Sequence, residues 1–290
     1  MKERNHLFVF LVIVFSLSII LSLFIGLTGG HESKFTWLRF ASMPIPAIAV
    51  FIVCTVYKEP FALIEWNKFP ISWLPLALFL MPAAIHIVCL PLIRFLNNGS
   101  LPWQLWLTAN KAGLYQAPDK FGWGKVNLGG LASKIVINAI TGVVVVTILA
   151  FLEEIGWRAW MLPRLVVKFN VRKGVLSGAL IWALWHVPFI LSGISYVEGL
   201  QTYLILLISP FGIFGAGLVI NWFWIRTKSI WIVSIAHGAL NNWGQYAFKY
   251  MQDNTRDSYL QQSWLFVGVN SSLLIIGLII FSTMRNKHQK

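Results

Sequence analysis

Long apolar stretches separated by short polar ones run through the whole chain. Each stretch is about 20 residues or slightly more, which is the length that a helix needs to cross ~30 Å of hydrocarbon. The pattern predicts eight transmembrane helices, at 7–27, 37–57, 73–95, 131–163, 174–194, 200–225, 230–250 and 264–284. It contains no fixed repeat and no low-complexity segment, so we expect one all-α membrane helix bundle formed by residues 1–290.

Composition narrows the class of protein further. With 57% hydrophobic and 11% charged residues and a mean hydropathy of +0.71, the chain does not fit a water-soluble surface. A net charge of +13 would suggest nucleic acid as a partner of a soluble domain. Here the basic residues lie between the apolar stretches, as orientation signals beside anionic lipid do. Cys54 and Cys89 lie inside apolar stretches, so neither a disulfide framework nor a thiolate metal site is indicated.

The distribution of basic residues predicts the orientation. Eight spans place both termini on one side, and thirteen of the Lys and Arg residues share that side with the termini, against nine on the other, with Arg158 counted in neither set. Basic residues favour the cytoplasmic side, above all in short loops. The chain is therefore predicted to be a multi-pass protein of the plasma or inner membrane, with both termini in the cytoplasm.

Residues 97–130 form the longest polar stretch, and it contains three tryptophans, Trp103, Trp106 and Trp123. Tryptophan is enriched at the boundary between membrane and water. The stretch is predicted to be an interfacial loop, and it is open whether it acts as a lid over a site or is an ordinary aromatic loop.

Glu153 and Glu154 are the only acidic residues inside a predicted span. An ionised side chain at the centre of a membrane helix costs about 2.5–3.5 kcal/mol on insertion scales, so such residues usually have a function. Glu154 and Arg158 are spaced i and i+4, which predicts an ion pair on one helix face. Glu153 is rotated away from both. The alternative is a salt-bridge cluster at a helix end, close to the membrane surface.

Two later spans each carry a histidine with polar surroundings. His186 lies two residues before Pro188, which removes a backbone hydrogen bond and opens polar backbone nearby. His237 and Asn241 are spaced i and i+4, so both project from one face. Each histidine could instead serve packing or a structural hydrogen bond between helices. His86, in the third span, has no polar neighbour at helical spacing and is interpreted as a packing residue.

The predicted depths of these polar residues in the membrane indicate that the three sets lie close together. At ~1.5 Å per residue, Glu153, His186 and His237 all lie in the cytoplasmic half of the bundle. A carboxylate and two imidazoles can activate a water molecule directly or through a bound metal.

The three motifs, Glu-Glu-x-x-x-Arg, aromatic-x-x-x-His and His-x-x-x-Asn, resemble the three signatures of the CPBP family of intramembrane proteases, the CAAX protease and bacteriocin-processing or ABI family. The resemblance covers about 131–250 and implies a catalytic core in the fourth to seventh helices. The chain departs from the family pattern at one position, where Trp182 stands in place of the usual phenylalanine.

The resemblance implies an endopeptidase in which Glu153 with His186 activates the water. His237 with Asn241 then binds or polarises the scissile carbonyl. The residues expected to support the site are Glu154, Arg158 and Trp182. The enzyme would be glutamate-dependent or metal-dependent: zinc and no cofactor both remain open, and a metal would take Glu153, His186 and His237 as ligands.

The substrate implied by the resemblance is a membrane-anchored one, namely a prenylated peptide or protein or a bacteriocin-type peptide. Two other functions stay open. A non-catalytic family member could act as a bacteriocin-immunity or scaffold protein. Glutamate and histidine in a membrane also serve as proton relays in transporters, although no pair of broken helices marks the inverted repeats that are typical of transporters.

Overall fold

The structure is a computed structural model that describes residues 2–30, 33–35, 37–60, 67–85, 111–119, 122–137, 141–194, 200–251 and 259–284. Its α-helices are α1 (Lys2–Leu27), α2 (Leu38–Ala41), α3 (Ile45–Tyr57), α4 (Leu74–Ala84), α5 (Leu128–Ile137), α6 (Val143–Glu154), α7 (Leu162–Phe169), α8 (Val171–Ile194), α9 (Leu200–Thr227), α10 (Ile230–Met251) and α11 (Tyr259–Ser282). A 3₁₀ turn at Ile71–Trp73 precedes α4, and a π-helix at Ile155–Met161 joins α6 to α7. The predicted all-α membrane fold is confirmed.

Large apolar side chains cover much of the outer surface of these helices. Phe8 is 67% exposed, Val145 61% and Ile148 63%. Apolar faces of this extent fit lipid and not water. Among the described residues, four segments are long and apolar enough to cross a membrane: Asn5–Leu27, Leu38–Tyr57, Val171–Ser192 and Leu206–Thr227. The chain is therefore a multi-pass membrane protein, and the count of eight spans stays a prediction.

The predicted fourth span, 131–163, differs most from the structure. Most of its described residues belong to α5, to α6 and to the π-helix that follows α6, and the span ends at the start of α7. A π-helix bonds residues i and i+5 and often occurs at functional sites. Within it, Gly156 lies so close to Pro46 of α3 that a Cβ atom would be 2.4 Å from the proline Cβ and 2.8 Å from its carbonyl carbon. Glycine at 156 thus allows the π-helix to pack against the start of α3.

Part of the predicted interfacial loop, 97–130, is a β-hairpin. Strands β1 (Tyr115–Asp119) and β2 (Gly122–Val126) are antiparallel, paired from Tyr115 with Val126 to Asp119 with Gly122. The sequence prediction did not include this hairpin, nor the start of α5 at Leu128. Residues 97–110 lie outside the described residues, as do His86 and the second half of the predicted third span.

Helix packing brings the polar residues of separate spans together. Helix α6 packs against α10, α8 against α9, and α9 against α11. Gly238 of α10 faces Thr147 of α6, where a Cβ atom would lie 2.8 Å from the threonine Cα. Because the two backbones approach this closely, His237 lies next to the carboxyl end of α6.

Polar contacts between segments far apart in the sequence tie the chain together at one end of the bundle. They join His6 and Arg164 to Glu59, Arg172 to the carbonyl of Met284, and Ser229 to the carbonyl of Lys68. These segments carry most of the basic residues that the sequence places on the side of the termini. Their grouping at one end agrees with that topology, and the side of the membrane that they face stays a prediction.

Candidate active site

The carboxylate of Glu154 lies at the centre of a buried polar group. Its Oε1 atom accepts hydrogen bonds from Nη1 of Arg158 at 2.8 Å and from Nδ1 of His237 at 2.7 Å. The three side chains are at most 1% exposed. The structure thus contains the ion pair that the i, i+4 spacing predicts, and it adds His237 as a second partner of the same oxygen.

Sequence reasoning missed one member of this group, Asn221 of α9. Its Oδ1 atom accepts a hydrogen bond from Nε of Arg158 at 3.0 Å, and its Nδ2 donates to the carbonyl of Val175 at 2.9 Å. The available signal was an asparagine inside a predicted span, four residues before its end at 225. Such a residue is expensive in a membrane and usually faces a polar partner.

Trp182 contacts every titratable side chain of the site except Glu154. Its indole N–H donates to Oε2 of Glu153 at 3.3 Å, and its backbone carbonyl lies 2.8 Å from Nδ1 of His186. Its ring meets the rings of His186 and His237 edge-on, at centroid distances of 4.7 and 5.3 Å. The guanidinium carbon of Arg158 lies 4.6 Å from the ring centroid. A phenylalanine could make the ring contacts but could not donate to Glu153.

The partners of the two histidines fix which nitrogen carries the proton. The carbonyl of Trp182 can only accept, so Nδ1 of His186 donates, and Nε2 of the neutral ring keeps a lone pair. Nδ1 of His237 likewise donates to the carboxylate of Glu154. Nε2 of His237 can therefore donate a second hydrogen bond only when both nitrogens of this ring carry a proton.

A cavity of about 340 Å³ adjoins the buried group. Its wall includes Ile85, Trp182, His186, Ile190, Ser209, Ile213, Ala216, Leu240, Asn241, Phe266, Val269, Asn270 and Leu273. Two predicted site residues, His186 and Asn241, therefore face one space. Glu153 and His237 are not part of the described wall and are only 3% and 1% exposed. Trp182 belongs to the wall and hydrogen-bonds Glu153, so the carboxylate of Glu153 lies next to a residue of the wall.

A metal requires several ligands that converge on one point. Among the residues that the structure describes, no group of three His, Cys, Asp or Glu side chains could hold a metal ion. Nδ1 of His186 and of His237 is hydrogen-bonded to a protein oxygen, so only Nε2 of each ring could be a ligand. The trio of Glu153, His186 and His237 in this arrangement does not fit a metal, and the chemistry proposed below uses side chains and water.

Comparison with known proteins agrees with the motifs. Residues 135–243 match the family described as type II CAAX prenyl endopeptidase Rce1-like. A CAAX prenyl protease 2 from Methanococcus maripaludis is 26% identical over 113 residues, which cover 36% of this chain and 39% of that relative. The aligned region is thus well under half of the relative's length. These matches confirm the resemblance of the chain to the CPBP family of intramembrane proteases.

Proposed function

We propose that the protein is an intramembrane endopeptidase of the CAAX protease type, in which Glu153 and His186 activate the attacking water. One observation carries the proposal. His186 and Asn241, from two separate helices, line the same cavity, and Glu153 accepts a hydrogen bond from Trp182, a residue of the cavity wall. All of these residues fall within the segment that matches the family, 135–243.

The proposed reaction begins with a water molecule in the cavity beside His186. The lone pair on Nε2 of His186 accepts one O–H of this water and orients it, and the carboxylate of Glu153 takes the proton as the water oxygen bonds to the carbonyl carbon. Glu153 then delivers this proton to the amide nitrogen, and the C–N bond breaks. The products are a carboxylic acid and an amine, and both side chains return to their starting state.

The negative charge that develops on the carbonyl oxygen needs donors. In the proposal, the amide N–H of Asn241 and the Nε2–H of the His237 imidazolium supply them. Glu154 accepts a hydrogen bond from Nδ1 of this ring at 2.7 Å, and Arg158 holds the carboxylate in place. The ion pair that crosses one turn of the helix therefore acts on the substrate through His237.

The substrate that we propose is a prenylated C-terminal peptide. The cavity wall is mostly aliphatic and aromatic, with Ile190, Ile213 and Val269 among its residues, so it suits an apolar group near the scissile bond. The relative from Methanococcus maripaludis is named a CAAX prenyl protease, which points to the same class of substrate.

The proposal predicts that Glu153→Gln lowers the activity without lowering the stability. Glu153→Gln hardly changes the side-chain volume, keeps an acceptor for Trp182 and leaves the pair of Glu154 and Arg158 intact. We expect the purified variant to melt like the wild type while its cleavage rate falls by about 100-fold or more, since general-base catalysis contributes that much. The rate is measured with a prenylated fluorogenic peptide in detergent. Full cleavage by Glu153→Gln would refute the role of this glutamate.

The matching substrate control is the same peptide without its prenyl group, which should be cleaved more slowly. If the wild-type protein cleaved neither peptide above the level of a preparation lacking the protein, the endopeptidase function would be wrong. The non-catalytic and transporter functions would then be tested next.

We also propose that the end of the bundle that carries Arg164 faces the cytoplasm. Val167 of α7 is 84% exposed at that end, and Lys111 is exposed in the stretch that is predicted to lie on the opposite side. In a background without other reactive cysteines, Val167→Cys should react with a membrane-impermeant maleimide only after cells are permeabilised. Lys111→Cys should react in intact cells, and the reverse pattern would overturn the orientation.

A further inference from the structure

We infer that Asn221 is a positioning residue that orients His237 through Arg158 and Glu154, an inference that rests on the proposed function. The four side chains form one buried chain of hydrogen bonds from α9 to α10. It runs from Asn221 Oδ1 to Arg158 at 3.0 Å, from Arg158 to Glu154 at 2.8 Å, and from Glu154 to His237 at 2.7 Å. Asn221 is 2% exposed, so water does not compete for its amide group.

The amide group of Asn221 is itself fixed. Its Nδ2 donates to the backbone carbonyl of Val175 in α8, at 2.9 Å. A carbonyl can only accept, so the amide nitrogen must face Val175 and the oxygen must face Arg158. The backbone of α8 therefore determines which end of this amide group Arg158 meets.

Arg158 needs this contact because its guanidinium is a planar group at the end of a long, rotatable side chain. Nη1 binds Glu154 and Nε binds Asn221, and two bonds from one plane fix both the position and the rotation of that plane. Nη2 has no hydrogen-bond partner among the described residues and adds no further constraint. Without Asn221, only Glu154 and the ring of Trp182, of the described side chains, would hold the guanidinium, which could then turn within the plane over that ring about its bond to Glu154. The single carboxylate oxygen shared with His237 would then shift.

Asn221 could instead serve only to join α9 to α8 through Val175. The two roles use different atoms, so substitutions can separate them. Asn221→Leu removes both bonds. Asn221→Asp keeps an oxygen for Arg158 and loses the donor to Val175.

The test measures kcat and KM on the prenylated peptide, normalised to the folded fraction, together with the melting temperature. Positioning predicts that Asn221→Leu lowers kcat by about 10- to 100-fold with little change in KM, since small misplacements of catalytic groups cost this much. Asn221→Asp should recover most of the lost kcat. If the contact with Val175 alone mattered, both variants would melt at a lower temperature and neither would change kcat per folded molecule, which would overturn the inference.

The matched control lies on the same helix. Thr227 is buried, and its hydroxyl group bonds the carbonyl of Phe223 and the backbone N–H of Ser229. Thr227→Val removes a polar group of comparable burial without touching the site, and it should leave kcat unchanged. If Asn221→Leu does not fold, Asn221→Ala replaces it, and the same results decide the question.

A second readout needs no substrate, so it separates a failure of this inference from a failure of the proposed function. Melting temperatures are measured for Asn221→Leu, Glu154→Gln and the double variant. If Asn221 acts through Arg158 on Glu154, the two substitutions damage one network, and the double variant should lose less than the sum of the single losses. Additive losses would overturn the coupling even if proteolysis were confirmed.

Discussion

The same four residue types form two clusters in this molecule. The end cluster is His6, Glu59, Trp160 and Arg164, and the interior cluster is Glu154, Arg158, Trp182 and His237. In each, one glutamate carboxylate joins a histidine to an arginine. In each, the arginine also lies over a tryptophan ring, at 3.9 Å from the centroid in the end cluster and 4.6 Å in the interior cluster.

The clusters differ in burial and in how the carboxylate is used. The side chains of the end cluster's ion pairs are 11–18% exposed, and each oxygen of Glu59 has its own partner. The interior ion pairs are at most 1% exposed, and Oε1 of Glu154 serves both partners. Its other oxygen, Oε2, has no hydrogen-bond partner among the described residues. A buried polar group that is incompletely paired is costly, so we interpret the end cluster as a link between helices and the interior cluster as a site.

The largest expected contrast comes from removing the charge of each glutamate. Glu154→Gln leaves the cation of Arg158 buried without its counter-ion, and breaking a buried pair costs about 3–5 kcal/mol. We expect a clear drop in melting temperature in detergent, with cleavage lost partly because the protein misfolds and partly because His237 loses its anion.

Glu59→Gln is the matched control, because it removes a carboxylate that joins the same two residue types near a helix end. These side chains keep partial access to solvent, so the melting temperature should fall less than in Glu154→Gln, and cleavage should stay close to wild type. Equal losses of stability in the two variants would show that burial is not what distinguishes the clusters.

Local spacing was sufficient to predict one bond of the interior cluster. Glu154 and Arg158 are neighbours on one helix face, and their contact follows from their i, i+4 spacing in the sequence. The contact between Glu154 and His237 depends on how α6 and α10 meet, which the close approach of Gly238 to Thr147 determines. Neither helix has a sequence pattern that specifies how the two helices pack against each other. The sequence analysis therefore placed His237 near the site but did not identify its partner.

Trp182 and Asn221 show a second limit of the same kind. The motif identified Trp182 as a supporting residue, but its bond to Glu153 requires the rotation of α8 relative to α6. Asn221 belongs to no motif, and only the packing of α9 against α8 brings it to Arg158. The π-helix at Ile155–Met161 also escaped prediction, because its residues are as compatible with an α-helix as those around them.

The fold itself followed from the lengths of the apolar stretches. Helices α1, α8, α9 and α10 end within a few residues of the predicted limits, because the thickness of the membrane constrains such helices directly. The hairpin of β1 and β2 lies between spans, where no such constraint acts. It has only five residues in each strand, with glycines at 122 and 124, which leaves little strand pattern to detect.

The smallest expected contrast concerns the tryptophans of the two clusters. Trp182→Phe keeps an aromatic ring beside Arg158 and both histidines but removes the N–H that holds Glu153. One hydrogen bond contributes about 1 kcal/mol, which corresponds to roughly fivefold in rate. We expect kcat to fall by that factor with only a small change in melting temperature, because the carboxylate of Glu153 would be less firmly oriented towards the water. Trp160→Phe removes the same atoms from the ring beside Arg164, and Trp160 is not among the described residues of the cavity wall, so this substitution should leave kcat unchanged. If both substitutions lowered kcat equally, the loss would come from repacking the bundle, and the indole of Trp182 would have no distinct role in the site.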